Sequence, residues 1–343
     1  MWKELYKIFT LSAIVLTSTV VFCACAGKKN NNAITDKIDK VHNSYTGITF
    51  NSDSAYNIIK KQLEFGPRVP GTEGHKRMSD WLEDQITVYA DTVLVQTTEA
   101  MAFNGDKLPI RNIFARMNPK SKERILLIAH YDTRPWADQE SDVSLRNKPI
   151  PGANDGASGV AVLLELARVL KENNTEKGVD FLFVDAEDYG KPENVSIWDS
   201  QNEDSWCLGT QAWIKNSPYD VTTLPKFGIL LDMVGGYNAR FHREFFSDQF
   251  ASKAVDAVWS AASHSGYGDR FPNERGGAIT DDHVYLNEAG IPTIDIIENN
   301  NPDTGSFNPT WHTHADDIGN IDRETLKAVG VTVQNVIMNI ELE

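Results

Sequence analysis

The stretch VDFLFVDAEDYG, Val179 to Gly190, decides how this chain is read. Five of its first six residues are apolar, mostly β-branched or aromatic, and they read as a buried strand. Asp185, Glu187 and Asp188 then fall within four positions. Like charges this close repel, and each loses hydration on burial. A buried strand that runs straight into them calls for a positive partner at its end, or for chemistry there.

Outward from this strand, β and α patterns alternate. Apolar residues at helical spacing mark Ser54 to Phe65 and His75 to Tyr89. RILLIAHYD, from Arg124, is a strand ending in polar residues, and Gly159 to Asn173 is a largely buried helix. CLGTQAWIKN predicts a short helix and FGILLDMVGG, Phe227 to Gly236, a strand. ASKAVDAVWSAASHSG is a helix with a glycine stop, IPTIDIIEN a strand, and IDRETLKAVGVTVQNVIMNIELE the closing helix. This alternation predicts one α/β domain, 49–343. Its central twisted sheet is mostly parallel (mixed), with helices on both faces.

The chain has 343 residues, 41% hydrophobic and 24% charged, enough apolar material for one large core. Its formal net charge of -15 excludes a nucleic-acid partner, which needs clustered Lys and Arg. The N-terminus differs from the rest. MWKELYK carries two Lys, Ile8 to Phe22 carries no charge, and CACAG follows. That is an export signal, 1–25. The apolar run is shorter than the roughly 20 residues of a spanning helix. Phe22-Cys23-Ala24-Cys25 resembles a bacterial lipobox, with Cys25 as the lipidated residue and Phe22 where Leu is usual. The expected location is therefore the bacterial cell envelope, through a lipid anchor rather than a spanning helix. Secretion after cleavage, or an uncleaved anchor, are the alternatives. Residues 26–48, rich in Asn, Lys, Asp and Ser, read as a flexible tether. Of three cysteines only Cys207 lies beyond the signal, so no internal disulfide framework is expected.

Polar residues gather where the strands end: His130 and Asp132, Asp185 to Asp188, Asp232, then Asp295 and Glu298. In an open α/β sheet the crevice beyond the carboxyl ends of the strands is where ligands bind. Asp155, in the Gly-rich turn PGANDGASG, and His312, in NPTWHTHADD, join them. Carboxylates mixed with imidazole suit zinc, whereas calcium takes more oxygens and no His. With no Cys among the donors the site reads as catalytic. Asp188 is then a ligand and Glu187 a general base beside the metal. Taken singly, each residue has a plainer reading. Asp155 could cap a helix, Asp232 a turn, His130 a core carbonyl, and His312 could be a loop histidine. His42, His75, His242 and His264 are placed at solvated or capping positions, and His314 outside the site.

HYD, GANDGASG, the acid pair, LLDMVGG and WHT together resemble the zinc exopeptidases of aminopeptidase type. GPRVPGTEGH (Gly66 to His75), TDDHVYLNEAGIP (Thr280 to Pro292) and FNPTWHTHADD (Phe307 to Asp317) resemble, more narrowly, the animal-type glutaminyl-peptide cyclotransferases. That resemblance implies one zinc on Asp155, Asp188 and His312, with Asp188 where the family commonly has Glu. It implies Glu187 as general base, an acid network at Asp281 and Asp232, and a substrate wall of Trp311, Phe307 and Trp198, with Trp206 competing for the last place. Where animal cyclases have a His before WHT, this chain has Asp295. The implied substrates are N-terminal glutamines of peptides or proteins. The hydrolytic alternative is an aminopeptidase with two zinc ions, the second on His130 and Asp232.

Overall fold

The computed structural model describes residues 47–192, 195–220 and 222–340. The export signal, Cys25 and the tether up to residue 46 lie outside the described residues. Two faces of each central strand explain the layering. In β3 (Arg124–His130), Ile125, Leu127 and Ala129 point to one core, while Leu126 and Ile128 point to another. β4 (Gly178–Val184) divides the same way: Val179, Phe181 and Phe183 against Leu182 and Val184. Both strands are buried throughout, as expected of strands covered on two sides.

Six strands form the sheet, in the order β1-β2-β4-β3-β5-β6. β4, β3, β5 (Phe227–Leu231) and β6 (Thr293–Ile296) run parallel. β1 (Thr92–Met101) and β2 (Lys107–Met117) add an antiparallel hairpin at the β4 edge. The sheet is therefore mixed, with a parallel half that carries the strand ends of interest.

The larger core lies under α1 (Ser52–Leu63), α2 (Glu73–Thr87), α3 (Ala157–Glu172), α5 (Phe245–His264) and α7 (Arg323–Asn339). α4 (Leu208–Lys215) and α6 (Asp282–Glu288) cover the other face, through Trp213 and Leu286. α3 is apolar almost all round and nearly every residue is buried, which fixes it at the centre of its layer. Gly159 makes this fit. A Cβ there would come within 2.2 Å of the Leu231 carbonyl oxygen, so α3 lies directly on the end of β5. That contact brings the turn before α3 against the strand ends.

The helices and parallel strands predicted from sequence are present with shifted ends. α1 begins at Ser52 because the Asn51 side chain accepts the amides of Asp53 and Ser54. β5 ends at Leu231, not Gly236, because the chain turns at Asp232 and Met233. The hairpin and α6 were not anticipated. Asn104-Gly105, between two β-prone runs, was the available hairpin signal, with Gly105 left-handed at φ 86.

Candidate metal centre

Asp185 answers the first question the sequence raised. Its partners differ from those of the acids that follow, because the strand ends at Val184 and the chain turns at Ala186. Its carboxylate accepts the amides of Arg111 and Ala186, both at 2.8 Å, and lies 2.7 Å from His75 Nε2. His75 is therefore a buried partner, not the surface or capping histidine expected. Burial depresses the His75 pKa, but the Asp185 charge outweighs it and leaves the pKa raised.

The chain reaches Glu187 and Asp188 through Ala186, left-handed at φ 47. Met233, after Asp232, and His312 itself are also left-handed, at φ 50 and 54. Such backbone costs on the order of 1–3 kcal/mol per residue and concentrates where a side chain must be aimed. Asp132, at the end of β3, accepts the backbone amides of both Glu187 and Asp188 at 3.1 Å and so holds the acid pair. Asp316 does the same for the turn before α3, accepting Asn154 N at 2.7 Å and Asp155 N at 3.1 Å. Buried Arg68, from the GPRVPGT motif, pins that turn through the carbonyls of Pro151 and Gly152, both at 2.6 Å.

These supports bring Asp155, Asp188 and His312 together, each buried. One ligand atom from each lies within 4.8 Å of the others. His312 Nε2 is 3.3 Å from Asp188 Oδ1 and 3.7 Å from Asp155 Oδ2. Its other nitrogen, Nδ1, is 3.0 Å from Asp138 Oδ1, and Arg134 donates to Asp138 through Nε and Nη2. Asp188 Oδ2 is buried without a hydrogen-bond partner among the described residues. Two carboxylates, an outward-braced imidazole and an orphaned oxygen fit a zinc-type ion. Burial and the neighbouring Asp155 charge raise the Asp188 pKa. On Asp155, burial is outweighed by His130 and His312, and its pKa is lowered.

His130 and Asp232 form the adjoining group. His130 Nε2 lies 3.1 Å from both Asp155 Oδ1 and Asp232 Oδ1. Burial pushes Asp232 up to about 7 against the pull of His130. Glu187 sits on the other side. Burial, partly offset by His130 and reinforced by Asp281 and Asp188, holds its carboxyl well above the usual range. The Cys207 thiol, buried and free, donates to Glu187 Oε1 at 3.5 Å. Sequence reading assigned neither Cys207 nor Asp138 a place in this site.

A cavity of about 310 Å³ opens over these groups. Its polar floor is Asp155, Glu187, Asp188, Asp232, Asp281 and His312, and its walls include Trp206, Phe307 and Trp311. Phe307 and Trp311 pack at 4.6 Å, and Trp311 stacks on His312 at 3.8 Å. Trp198 is corrected: it is 90% exposed and does not line the cavity. Trp206 takes that place, nearly parallel to His312, with the Arg134 guanidinium over its ring. Gly190 permits this, since a Cβ there would meet the Trp206 ring at 2.0 Å. Glu298 stays outside the site, bonded to Asn301 and Asn308. His314 also lies outside the cavity lining, with Nδ1 3.1 Å from Glu140.

The sequence model of Peptidase family M28 matches residues 112–337. The solved glutaminyl cyclase of Bacteroides thetaiotaomicron, bound to N-acetylhistamine, is 47% identical with a TM-score of 0.82. The match covers 86% of this chain and all of that one. A Zn-dependent exopeptidase from Parabacteroides distasonis is 46% identical, with a TM-score of 0.81, covering 85% of this chain and 99% of that one. Aminopeptidase YwaD of Bacillus subtilis is 28% identical over 215 residues, or 62% of this chain. The match spans only 40% of that aminopeptidase's length.

Proposed function

The chain belongs to peptidase family M28, and from that premise we propose that it is a zinc-dependent glutaminyl-peptide cyclotransferase. One observation carries the reading beyond the family. An elevated carboxyl, Glu187, and an acid, Asp281, share one small cavity with an Asp-Asp-His donor set, walled by Trp206, Phe307 and Trp311. The 47% identity to the Bacteroides thetaiotaomicron glutaminyl cyclase supports it.

Asp155, Asp188 and His312 would hold a single zinc, which when bound polarises a carbonyl oxygen placed against it. Trp206, Phe307 and Trp311 fold the glutamine side chain toward its own α-amine and exclude water. Because the nucleophile is tethered, orientation supplies much of the acceleration. Glu187 accepts a proton from the α-amine as that nitrogen bonds to the side-chain amide carbon. It then returns the proton to the departing nitrogen as the old C–N bond breaks. The products are pyroglutamate and ammonia. A carboxyl raised above its ordinary range by burial is a readier proton acceptor and donor in this exchange. Asp281 and Asp232 complete the acid network next to the base.

Ammonia release from a Gln-initiated peptide tests the reading. It is expected to stop on chelation and return with zinc. Release that survives full zinc removal would refute the zinc-dependent reading. Asp138 braces the imidazole, so Asp138→Asn is expected to weaken zinc binding by roughly 10–100-fold. A chelator competition titration checks this. Unchanged affinity would mean that the Trp206 and Trp311 rings alone orient His312.

We also place the protein at the cell envelope, with Cys25 as its lipidated residue, on the charged, apolar and small-residue order of the first 25 residues. No helix among the described residues is long and apolar enough to cross a membrane. Cys25→Ala is expected to move the protein from the membrane to the soluble fraction. Continued membrane retention would favour an uncleaved anchor.

A further inference from the structure

Among the described residues, one side chain donates a hydrogen bond to the Glu187 carboxyl, and it is a thiol. Cys207 Sγ lies 3.5 Å from Glu187 Oε1, within reach of an S–H donor. The other carboxyl oxygen, Oε2, is 3.9 Å from His130 Nδ1, too far to bond. Cys207 is fully buried and is the only cysteine of residues 49–343, so no disulfide within the domain competes for its sulfur.

The backbone around Cys207 fixes this contact. Cys207 N donates to Glu187 O at 3.0 Å, and Leu208 N donates to Ala186 O at 3.1 Å. Two successive amides thus clamp the turn before α4 onto Ala186 and Glu187. Cys207 is left-handed, at φ 53, a conformation that a residue with a Cβ rarely takes. It precedes α4 without bonding the helix's own amides, which leaves its side chain to Glu187. Gly209 makes the close docking possible, since a Cβ there would meet the Asp185 carbonyl oxygen at 2.0 Å. Glu187, Cys207 and Asp281 each place one polar atom within 4.8 Å of the others. A thiolate there would add a third negative group to two carboxyls, whereas a neutral S–H adds a donor. Burial, reinforced by Asp282 and Glu187, pushes the thiol well above its usual range and keeps the proton on sulfur.

We propose that Cys207 is a positioning residue for the base: its S–H holds Glu187 Oε1 and leaves Oε2 to exchange the proton with substrate. Cys207 does not line the cavity and acts only through Glu187. Its effect on turnover rests on the cyclase reading; the thiol's bond to Glu187 does not.

The test uses the zinc-loaded full chain. The infrared difference spectrum of wild type minus Cys207→Ala is expected to show an S–H stretching band below the position of an unbonded thiol. Taken again in the Glu187→Gln background, the band should move up, because an amide oxygen is a weaker acceptor than a carboxylate. Where Cys207→Ala does not fold, Cys207→Ser serves as the reference. Cys207→Ala should lower kcat about tenfold with KM and zinc content unchanged, the scale of one lost bond to a charged group. Cys207→Ser keeps a donor, and its kcat should stay within about threefold of wild type. A band at the unbonded position that Glu187→Gln leaves in place overturns the proposal, since the thiol then only packs. So does an unchanged kcat in Cys207→Ala, or a Cys207→Ser variant as slow as Cys207→Ala. An absent band with a second zinc that Cys207→Ala releases also overturns it, since the sulfur is then a ligand. A band that moves in Glu187→Gln while no ammonia is ever released leaves the contact standing and refutes the cyclase reading.

Discussion

Glu187→Gln should lower kcat for Gln-initiated peptides by roughly 10²–10⁴-fold, the usual worth of a positioned general base. The substitution keeps the size of the side chain and removes its ability to take a proton. Little else should change. The backbone at 187 and 188 is held by Asp132, which touches main-chain amides rather than the Glu187 carboxyl. The donor set Asp155, Asp188 and His312 does not include Glu187. Zinc content should therefore stay at wild-type stoichiometry while turnover collapses. Metal analysis and initial rates on the same preparation separate these outcomes. A loss below about tenfold would mean that another carboxyl, Asp281 first, carries the proton. Simultaneous loss of zinc would mean that Glu187 is a ligand.

His312→Asn should abolish tight zinc binding and, with it, activity. The choice of Asn matters. Position 312 is left-handed, and Asn tolerates that backbone far better than most residues. The variant then reports on the missing imidazole rather than on strain. Zinc binding to the native state stabilises it in proportion to the logarithm of zinc over Kd, about 4 kcal/mol at a thousandfold excess. Wild type should gain that increment in thermal or denaturant unfolding when zinc is added. His312→Asn should gain little, and its stability without zinc should stay near that of the zinc-free wild type. Equal zinc stabilisation in both proteins would place the metal elsewhere, with His130, Asp155 and Asp232 the next donor set.

Much of this site could be read from strand ends. Parallel strands align their carboxyl termini, so His130, Glu187, Asp188 and Asp232 had to meet once the β/α alternation was recognised. Asp155 and His312 came from turn motifs that carry their own geometry. What sequence did not reveal depends on long-range docking. Asp138 matters because a loop places it against His312, far away in sequence, and nothing local to Asp138 announces that. Cys207 approaches Glu187 only because the turn before α4 folds back onto the end of β4, with its amide on the Glu187 carbonyl. Trp198 and Trp206 sit in one aperiodic stretch, where spacing cannot choose between them. Gly190 chooses, by leaving room for the Trp206 ring alone. The β1–β2 hairpin was missed because β1 is largely exposed and lacks an apolar face of its own.

On the proposed reading, cyclisation and hydrolysis would share Asp155, Asp188, His312 and Glu187, and would differ in which nucleophile reaches the carbonyl. On the same reading, the wall of Trp206, Phe307 and Trp311 would favour the tethered amine by keeping water out. His130 and Asp232 stand ready as further ligands for the opposite outcome. The decisive measurement is to incubate the zinc-loaded protein with an equimolar mixture of a Gln-initiated and a Leu-initiated peptide and to read the products by mass spectrometry. The Gln peptide should lose only ammonia, and the Leu peptide should stay intact. Free leucine or free glutamine would contradict the cyclase reading and make a metal-activated water, rather than the substrate amine, the nucleophile.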